Sequence, residues 1–229
     1  MKETLVFTDG ASRGNPGSSG WGAVIAHDGQ VVELGGGIPE GTNNQMELTA
    51  VIEALEWLQG KEVATVSIYS DSTYTISGAT GWVFSWDKRG WQTKDGDPIK
   101  NKELWQRYYE LQKTLEFEVN FHKVKGHASI PANERADDVA TSFADGEIPD
   151  LKNVSQADYG VSLNPTAQYL EKSPVYFSFV GGEARMHATW PECQKWVAGK
   201  QAQYRKVRTV VERDELLREW GVDLAAVKK

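Results

Sequence analysis

The sequence lacks the features of a secreted or membrane-spanning protein. Cys193 is the single cysteine among 229 residues, so an intramolecular disulfide is excluded and a reducing compartment is favoured. No apolar run approaches the roughly 20 residues that a membrane-spanning helix requires. The first residues, MKETLVFTDG, show no apolar core of a signal peptide. We therefore expect a cytoplasmic protein that has no membrane partner.

The glycine-rich stretch at residues 6–22 lacks the signatures of a nucleotide-binding loop. VFTDGASRGNPGSSGWG contains neither the Gly-Lys-Ser/Thr end of a P-loop nor a Gly-x-Gly-x-x-Gly spacing that opens a helix. It does place a lone acid, Asp9, at the end of a predicted apolar strand. An acid that starts an ordinary turn explains this position equally well, so the rest of the chain must decide between a turn and a site.

The chain also has no excess of positive charge. Its formal net charge is −7, which argues against indiscriminate binding to nucleic acid. The charge is uneven, because residues 1–149 carry 13 Lys and Arg against 22 Asp and Glu, whereas residues 150–229 carry 12 against 10. The asymmetry favours two parts with different roles, although drift of surface residues would produce it too.

Strand and helix patterns alternate in the first part of the chain. The predicted strands are residues 4–8, 21–26, 31–35, 64–70 and 117–124. The predicted helices include residues 42–60, 101–115 and 131–144. Thr42 or Asn43 caps the first of these helices, and Gly60 ends it. This order predicts an α/β fold with a five-stranded mixed sheet flanked by helices.

The pattern changes after the last of these helices. We interpret residues 1–147 as one domain and residues 148–174, which show no sustained periodicity, as a linker that is either free or tethered to the surface. Residues 175–229 predict a hairpin followed by two short helices, which is a small α+β domain.

Three acids of the first domain lie at positions where a carboxylate is costly to bury. Asp9 and Asp71 each end an apolar strand. Glu47 lies at the edge of the apolar helical stripe that Val51 and Ala54 continue. Buried carboxylates require cations or hydrogen-bond donors as compensation.

A fourth acid belongs to a pair of neighbours on the helix at residues 131–144. Asp137 shares a face with Ala140 and Ala144, whereas Asp138 shares the polar face with Thr141. Each acid taken alone is most simply an ordinary helix or turn residue. Four together repel one another unless a counter-charge is present, and a divalent ion such as Mg²⁺ or Mn²⁺ provides it, because hard oxygen ligands suit these ions.

Several separated motifs give the acids a more specific context. TDGAS.GNPG..G.G, TNNQMEL, YSDS and VKGHA..PANERAD resemble the type 1, bacterial-like ribonucleases H and occur in the order of that family. The resemblance runs from about Leu5 to Ala144 and includes the tryptophan-rich insert GWVFSWDKRGWQTKDGDPIKNKELWQR. It implies the ribonuclease H-like form of the five-stranded α/β fold.

The resemblance also implies an activity. The family cleaves the RNA strand of RNA–DNA hybrids by two-metal hydrolysis and leaves a 3′-hydroxyl and a 5′-phosphate. It implies that Asp9 bridges two Mg²⁺ ions (Mn²⁺ being the alternative), that Glu47 and Asp71 hold the leaving-group ion, and that Asp137 holds the ion that activates water. His127, in the loop before the last helix, would transfer a proton or help the product to leave. A lone histidine is otherwise more often structural.

Further residues match the family's contacts with substrate. The matching groove-contact residues are Asn15, Thr42, Asn43 and Asn44. The matching residues of the basic protrusion, which grips the DNA strand, are Trp82, Trp86, Lys88 and Arg89. Helix capping is the alternative role for Asn43, and some of the tryptophans must belong to the core. Three acids interrupt the basic run: Asp87, Asp95 and Asp97. They weaken the expected electrostatic grip.

Residues 175–229 resemble a different module, the small hybrid-binding domain of many eukaryotic-type ribonucleases H and of viroplasmin-like proteins. The matching elements include Trp190 in TWPEC and the run Tyr204-Arg205-Lys206. In those relatives the module usually precedes the catalytic domain, whereas here it follows, and its first hairpin, VGGEAR, lacks their cluster of basic residues. In the alternative interpretation the aromatic residues are core, and the domain binds protein or nothing.

Two other functions compete with an RNA–DNA hybrid endoribonuclease. One is a catalytically silent adaptor that binds hybrids, which the presence of all four carboxylates disfavours. The other is a DNA-cutting member of the same superfamily, which the VKGHA loop and the tryptophan-rich insert disfavour. We expect an enzyme that acts on RNA–DNA hybrid as a monomer.

Overall fold

The structure, a computed structural model, describes residues 3–124, 130–165, 175–207 and 210–228. Most of the described residues up to 163 form one unit, and residues 175–207 and 210–228 belong to a second. None of the described helices is long and apolar enough to cross a membrane.

The first unit is built on a mixed sheet with the strand order β5-β4-β1-β2-β3-β6. Its strands are β1 (Thr4–Ser12), β2 (Gly17–His27), β3 (Gln30–Gly41), β4 (Thr65–Ser70), β5 (Glu118–Lys123) and β6 (Asn153–Ser155). β4 is parallel to both β1 and β5, and the other pairs are antiparallel. The predicted fold class is confirmed, with six strands in this sheet rather than five.

The additional strand, β6, comes from the segment that the sequence analysis interprets as a linker. It pairs antiparallel with β3, and Val154 lies opposite Val31. Beyond it, Tyr159 and Leu163 are buried. Three residues are too few to show the alternating pattern of a strand in the sequence. β6 is a strand because it pairs with the edge of β3. The segment up to Leu163 is therefore part of the first unit, while the domain boundaries at 147 and 174 stay a prediction.

Helices cover one face of the sheet and enclose the main core. They are α1 (Asn43–Leu58), α2 (Thr73–Ser77), a π-helical turn (Gly78–Trp82), α3 (Val83–Lys88) and α4 (Lys102–Thr114). The fully buried core side chains include Val6, Ile25, Ile68, Leu48, Leu55 and Trp105. Thr42 caps α1 in a capping box with Gln45, which decides between the two predicted caps in favour of Thr42.

Helix α5 (Pro131–Ala144) packs on the opposite face of the sheet. Its approach is close, because a methyl group on Gly20 or Gly22 would overlap the main-chain carbonyls of Ala140 and Ala136. Glycine is needed at these two positions of β2 for this reason. The short distance between helix and sheet brings the side chains of α5 near the residues of β1.

The second unit has its own three-stranded antiparallel sheet, with the order β8-β7-β9. Its elements are β7 (Val175–Val180), β8 (Glu183–His187), α6 (Trp190–Val197), β9 (Ala202–Val207), α7 (Val210–Glu219) and a 3₁₀ turn (Leu224–Ala226). Val175, Phe177, Val207, Leu216 and Leu217 form its core. The predicted small α+β domain is confirmed. Strand β9 was not predicted.

Candidate active site

Two of the predicted site carboxylates come from neighbouring parallel strands. Phe7 of β1 lies opposite Tyr69 of β4, so Asp9 and Asp71 stand two residues further along each strand. Asp71 directly follows β4, as predicted. β1, however, continues through Asp9 to Ser12, because residues 9–12 pair with β2. The predicted strand end before Asp9 was wrong, since the apolar pattern stops there but the pairing does not.

Helix α1, which packs on one face of the sheet, contributes the third carboxylate, that of Glu47. The helix begins so close to β1 that a methyl group on Gly10 would overlap the main-chain nitrogen of Glu47. One carboxylate oxygen from each of Asp9, Glu47 and Asp71 lies within 4.8 Å of the other two. We refer to Asp9, Glu47 and Asp71 as the carboxylate cluster.

Two members of the carboxylate cluster, Asp9 and Glu47, are buried, and the third, Asp71, is half-buried. Asp9 is 9% exposed and Glu47 is 4% exposed. Burial, together with the charges of Asp71 and Asp137, raises the pKa of Asp9 to about 8. Burial and the charge of Asp9 raise the pKa of Glu47 well above its ordinary value. Glu47 Oε2 has no hydrogen-bond partner among the described residues, so one buried oxygen remains free to bind a cation.

Helix α5 presents Asp137 toward the carboxylate cluster and Asp138 away from it. Asp137 is half-buried and close enough to raise the pKa of both Asp9 and Glu47. It is not one of the three residues whose oxygens lie within 4.8 Å of one another. Asp138 is exposed. These positions agree with the faces that the helix period assigns to the two residues.

Asn133 is a site residue that the sequence analysis missed. It is 6% exposed, and its Nδ2 donates to Asp9 Oδ2 at 3.5 Å. Its Oδ1 is buried without a hydrogen-bond partner among the described residues. The signal was its spacing, because Asn133 lies four residues before Asp137 and therefore one helical turn away on the same face.

Among the residues predicted to touch substrate through the groove, Asn43 contacts the carboxylate cluster. Asn15, in the loop between β1 and β2, and Asn44 are exposed. Asn43 is exposed too, and its Nδ2 donates to Glu47 Oε1 at 3.4 Å. Thr42 is occupied as the cap of α1. The predicted catalytic residue His127 lies outside the described residues.

The tryptophan-rich insert divides into anchored and open rings. Trp86 is partly buried, and its ring centroid lies 5.6 Å from that of Trp105 in the core. Trp82 is 42% exposed and lies 5.7 Å from Trp86. Lys88 and Arg89 are exposed on the same insert. Trp86 and Trp91 are partly buried and pack against the main core, as expected for some of these tryptophans.

A neighbouring acid of the insert is held by a hydrogen bond. The Tyr109 hydroxyl donates to Asp87 Oδ2 at 3.0 Å. Asp87 is thus engaged within the protein. It still adds a negative charge beside the two cations of the insert.

The second unit gathers three aromatic rings at one face of its sheet. The Trp190 ring lies 5.5 Å from Tyr176 and 5.3 Å from Tyr204, which is 53% exposed. Because side chains alternate along β9, Lys206 shares the face of Tyr204, and Arg205 lies on the other face. Arg205 forms an ion pair with Glu219 of α7 at 3.0 Å. The run Tyr204-Arg205-Lys206 therefore does not form one surface.

Comparisons with known proteins agree with this geometry. The model of the family described as RNase H matches residues 1–145. Ribonuclease H of Chelativorans sp. (strain BNC1) is 49% identical over 140 residues, which are 61% of this chain and 84% of that protein. Ribonuclease H of Bradyrhizobium sp. (strain ORS 278) is 50% identical over 135 residues, or 59% of this chain and 85% of that protein.

A solved structure gives a similar result. LC9-RNase H1, a type 1 RNase H with the type 2 active-site motif, superposes with a TM-score of 0.57 at 28% identity. The match covers 70% of this chain and 82% of that one. The family match at residues 1–145 contains all four predicted carboxylates and ends before the three-stranded sheet of the second unit.

Proposed function

Because the chain belongs to the ribonuclease H family of endoribonucleases, we propose that its first unit hydrolyses the RNA strand of RNA–DNA hybrids with two divalent metal ions. The products would carry a 3′-hydroxyl and a 5′-phosphate. The observation that supports this proposal best is the carboxylate cluster, in which three acids from β1, α1 and the end of β4 lie within 4.8 Å. Such a cluster has no structural purpose that apolar residues would not serve better.

The residues of the cluster fit a hard divalent cation. Their ligand atoms are all carboxylate oxygens, and Glu47 Oε2 is buried without a partner among the described residues. Asp9 would be shared by two Mg²⁺ or Mn²⁺ ions, Glu47 and Asp71 would hold one, and Asp137 the other. When bound, such ions activate a water molecule and stabilise the leaving oxygen of a phosphodiester.

The protein's own groups orient the reacting parts. Asn133 donates to Asp9 and so fixes the carboxylate that both ions would share. Asn43 does the same for Glu47 through its hydrogen bond at 3.4 Å. His127, outside the described residues, would carry a proton or assist product release, since its ordinary pKa lies near neutrality.

Substrate would be recognised by shape rather than by base sequence. The exposed amides of Asn15, Asn43 and Asn44 suit 2′-hydroxyls and sugar edges, which distinguish RNA from DNA, and Asn43 also contacts Glu47 of the carboxylate cluster. Lys88 and Arg89 are exposed and would contact phosphates of the DNA strand. The open ring of Trp82, on the same insert, would pack against the DNA backbone or an end base.

We propose a supporting role for the second unit as a hybrid-binding surface. Trp190 and Tyr204 offer aromatic faces, and Lys206 adds a cation on the same side of the sheet. Arg205 would contribute less, because it is paired with Glu219 on the other side. All catalytic groups come from one chain, so the proposal requires no second copy and we expect a monomer.

The test is cleavage of three labelled duplexes, RNA–DNA hybrid, double-stranded RNA and double-stranded DNA, each with Mg²⁺ or EDTA. We expect cleavage of only one substrate strand, the RNA strand of the hybrid, and only when Mg²⁺ is present. The products should be extendable by a polymerase from their 3′-hydroxyls. Binding of the hybrid without cleavage would contradict the proposal and favour an adaptor. Cleavage of DNA would favour the DNA-cutting alternative.

A further inference from the structure

Glu33 is a buried acid outside the carboxylate cluster, and the proposed chemistry makes no use of it. Its side chain, on β3, has no exposed surface. Arg135 of α5 donates to both oxygens, from Nε to Oε1 at 2.8 Å and from Nη2 to Oε2 at 2.7 Å. The Tyr159 hydroxyl adds a hydrogen bond to Oε1 at 2.7 Å, and the Lys152 amide adds one to Oε2 at 3.0 Å. The carboxylate is thus fully satisfied.

These contacts hold Glu33 in its charged form. Burial by itself raises the pKa of a carboxyl, but here the hydrogen bonds from Arg135, Tyr159 and the Lys152 amide outweigh burial and bring the pKa below its ordinary value. Arg135 also donates to the Asp150 carbonyl at 3.0 Å. One guanidinium therefore ties together strand β3, helix α5 and the segment that follows the helix.

Helix α5 carries functional groups and packs closely on glycines of the sheet. The main-chain carbonyls of Ala136 and Ala140 meet Gly22 and Gly20 of β2, and the side chains of Val139 and Phe143 lie against Gly35 of β3. Charged contacts add a constraint at both ends of the helix. The second of these joins Asp145 to Arg13, at 2.5 and 2.7 Å.

The ion pair of Arg135 with Glu33 is the charged contact nearer the carboxylate cluster, and it is well placed to control the position of the site residues on α5. Arg135 lies two residues after Asn133, which donates to Asp9, and two residues before Asp137, which faces the carboxylate cluster. A shift of Arg135 would move both neighbours, because the three share one turn of rigid helix. Buried ion pairs often add less stability than apolar residues of equal volume, and fixing one arrangement is the better-attested use of them.

We propose that Glu33 is a positioning residue: through Arg135 and Tyr159 it holds α5 so that Asn133 and Asp137 face Asp9. It thereby sets the affinity of the site for a divalent ion. This inference rests on the proposed function, since it concerns the metal ions of that reaction. It adds a residue that touches neither metal nor substrate, and it assigns a role to Tyr159, which lies in the segment interpreted from sequence as a linker.

The test measures metal affinity directly. Mn²⁺ is titrated calorimetrically, without substrate, into the full chain and into the variants Glu33→Gln and Tyr159→Phe. Arg107→Gln is the matched control, because Arg107 joins α4 to Glu53 and Glu56 of α1 on the opposite side of the sheet. We expect Glu33→Gln to weaken Mn²⁺ binding by about tenfold. Tyr159→Phe should give a smaller loss in the same direction, and the control should bind like the parent.

Kinetics provide a second readout. At saturating Mn²⁺ the variants should regain most of kcat with an unchanged KM for hybrid, because the chemical groups are all present. Folded variants that bind Mn²⁺ as tightly as the parent would overturn the inference. If Glu33→Gln does not fold, Tyr159→Phe decides, since it keeps the ion pair and removes one hydroxyl. A parent chain that binds no Mn²⁺ would instead overturn the proposed function itself.

Discussion

Replacement of Asp9 by asparagine should stabilise the metal-free protein while it abolishes cleavage. The Asp9 carboxyl is 9% exposed, and its pKa is raised to about 8 by burial and by the charges of Asp71 and Asp137. An amide of the same shape removes that charge. Its Oδ1 keeps the hydrogen bond from the Gly10 amide, at 2.8 Å in the parent. The Nδ2 of the asparagine at position 9 gains an acceptor if the Asn133 amide rotates so that the unpaired Oδ1 of Asn133 faces position 9.

The magnitude follows from the pKa. In the unfolded chain Asp9 titrates near 3.8, whereas in the folded chain it holds its proton up to about pH 8. The parent is therefore not penalised below pH 4 and loses about 1.4 kcal/mol of stability per pH unit between these values. At pH 7, about three units above the unfolded value, the variant avoids this loss and should be more stable by about 4 kcal/mol. For a chain of this size the expected rise in Tm is roughly 5–15 °C.

The assay is thermal unfolding followed by circular dichroism, in EDTA, at several pH values from 4 to 8. The difference between variant and parent should be small at pH 4 and should widen as the pH rises. Saturating Mg²⁺ should narrow it again, because only the parent gains stability from tight metal binding. Equal stability at pH 7, or a difference that does not change with pH, would refute the electrostatic reasoning. Cleavage by the variant would refute the role of Asp9.

Three further outcomes are expected. Asp137→Asn should lower cleavage by at least about tenfold and Asp138→Asn much less, and the reverse ranking in a hybrid-cleavage assay would show that the wrong face of α5 was chosen. Gly22→Ala should lower the free energy of unfolding by about 3 kcal/mol, because the new methyl group overlaps a main-chain carbonyl. Gly81→Ala, the control, has open space around the new methyl group and should change the free energy of unfolding by less than ~1 kcal/mol. Similar denaturation midpoints for the two variants would contradict this prediction. A chain that ends at residue 165 should keep kcat and raise KM for hybrid by up to about tenfold, or 1.4 kcal/mol, at low salt and by less at high salt, where contacts to phosphates contribute less, and an unchanged KM would leave the second unit with another role.

The sequence predicts where Glu47, Asp71 and Asp137 lie in the fold, because each stands in or directly after a regular element whose period is visible. Asp71 follows a clear β pattern, and Glu47 lies on a clear helical stripe, so their positions follow from local geometry. The choice between Asp137 and Asp138 needs only the helical period. In each case the information lies within a few residues of the acid itself.

The parts that sequence could not predict depend on contacts between distant segments. Strand β6 has three residues and exists only as a partner of β3. Glu33 stands in an apolar strand without any local sign that Arg135 and Tyr159, more than 100 residues away, would bury it. Arg205 was grouped with its neighbours by motif, whereas the alternation of β9 separates them.

The glycine contact of α5 fixes the phase of this helix as well as its distance from the sheet. Each residue turns the helix by 100°, so one deletion near its start would carry Asp138 into the position of Asp137. A carboxylate would still face the carboxylate cluster. The same deletion would turn Asp137 into the fully buried position of Ala136, beside Gly22. Side chains on this helix can therefore be exchanged one at a time, but its length before Ala136 cannot change without loss of the fold around the site.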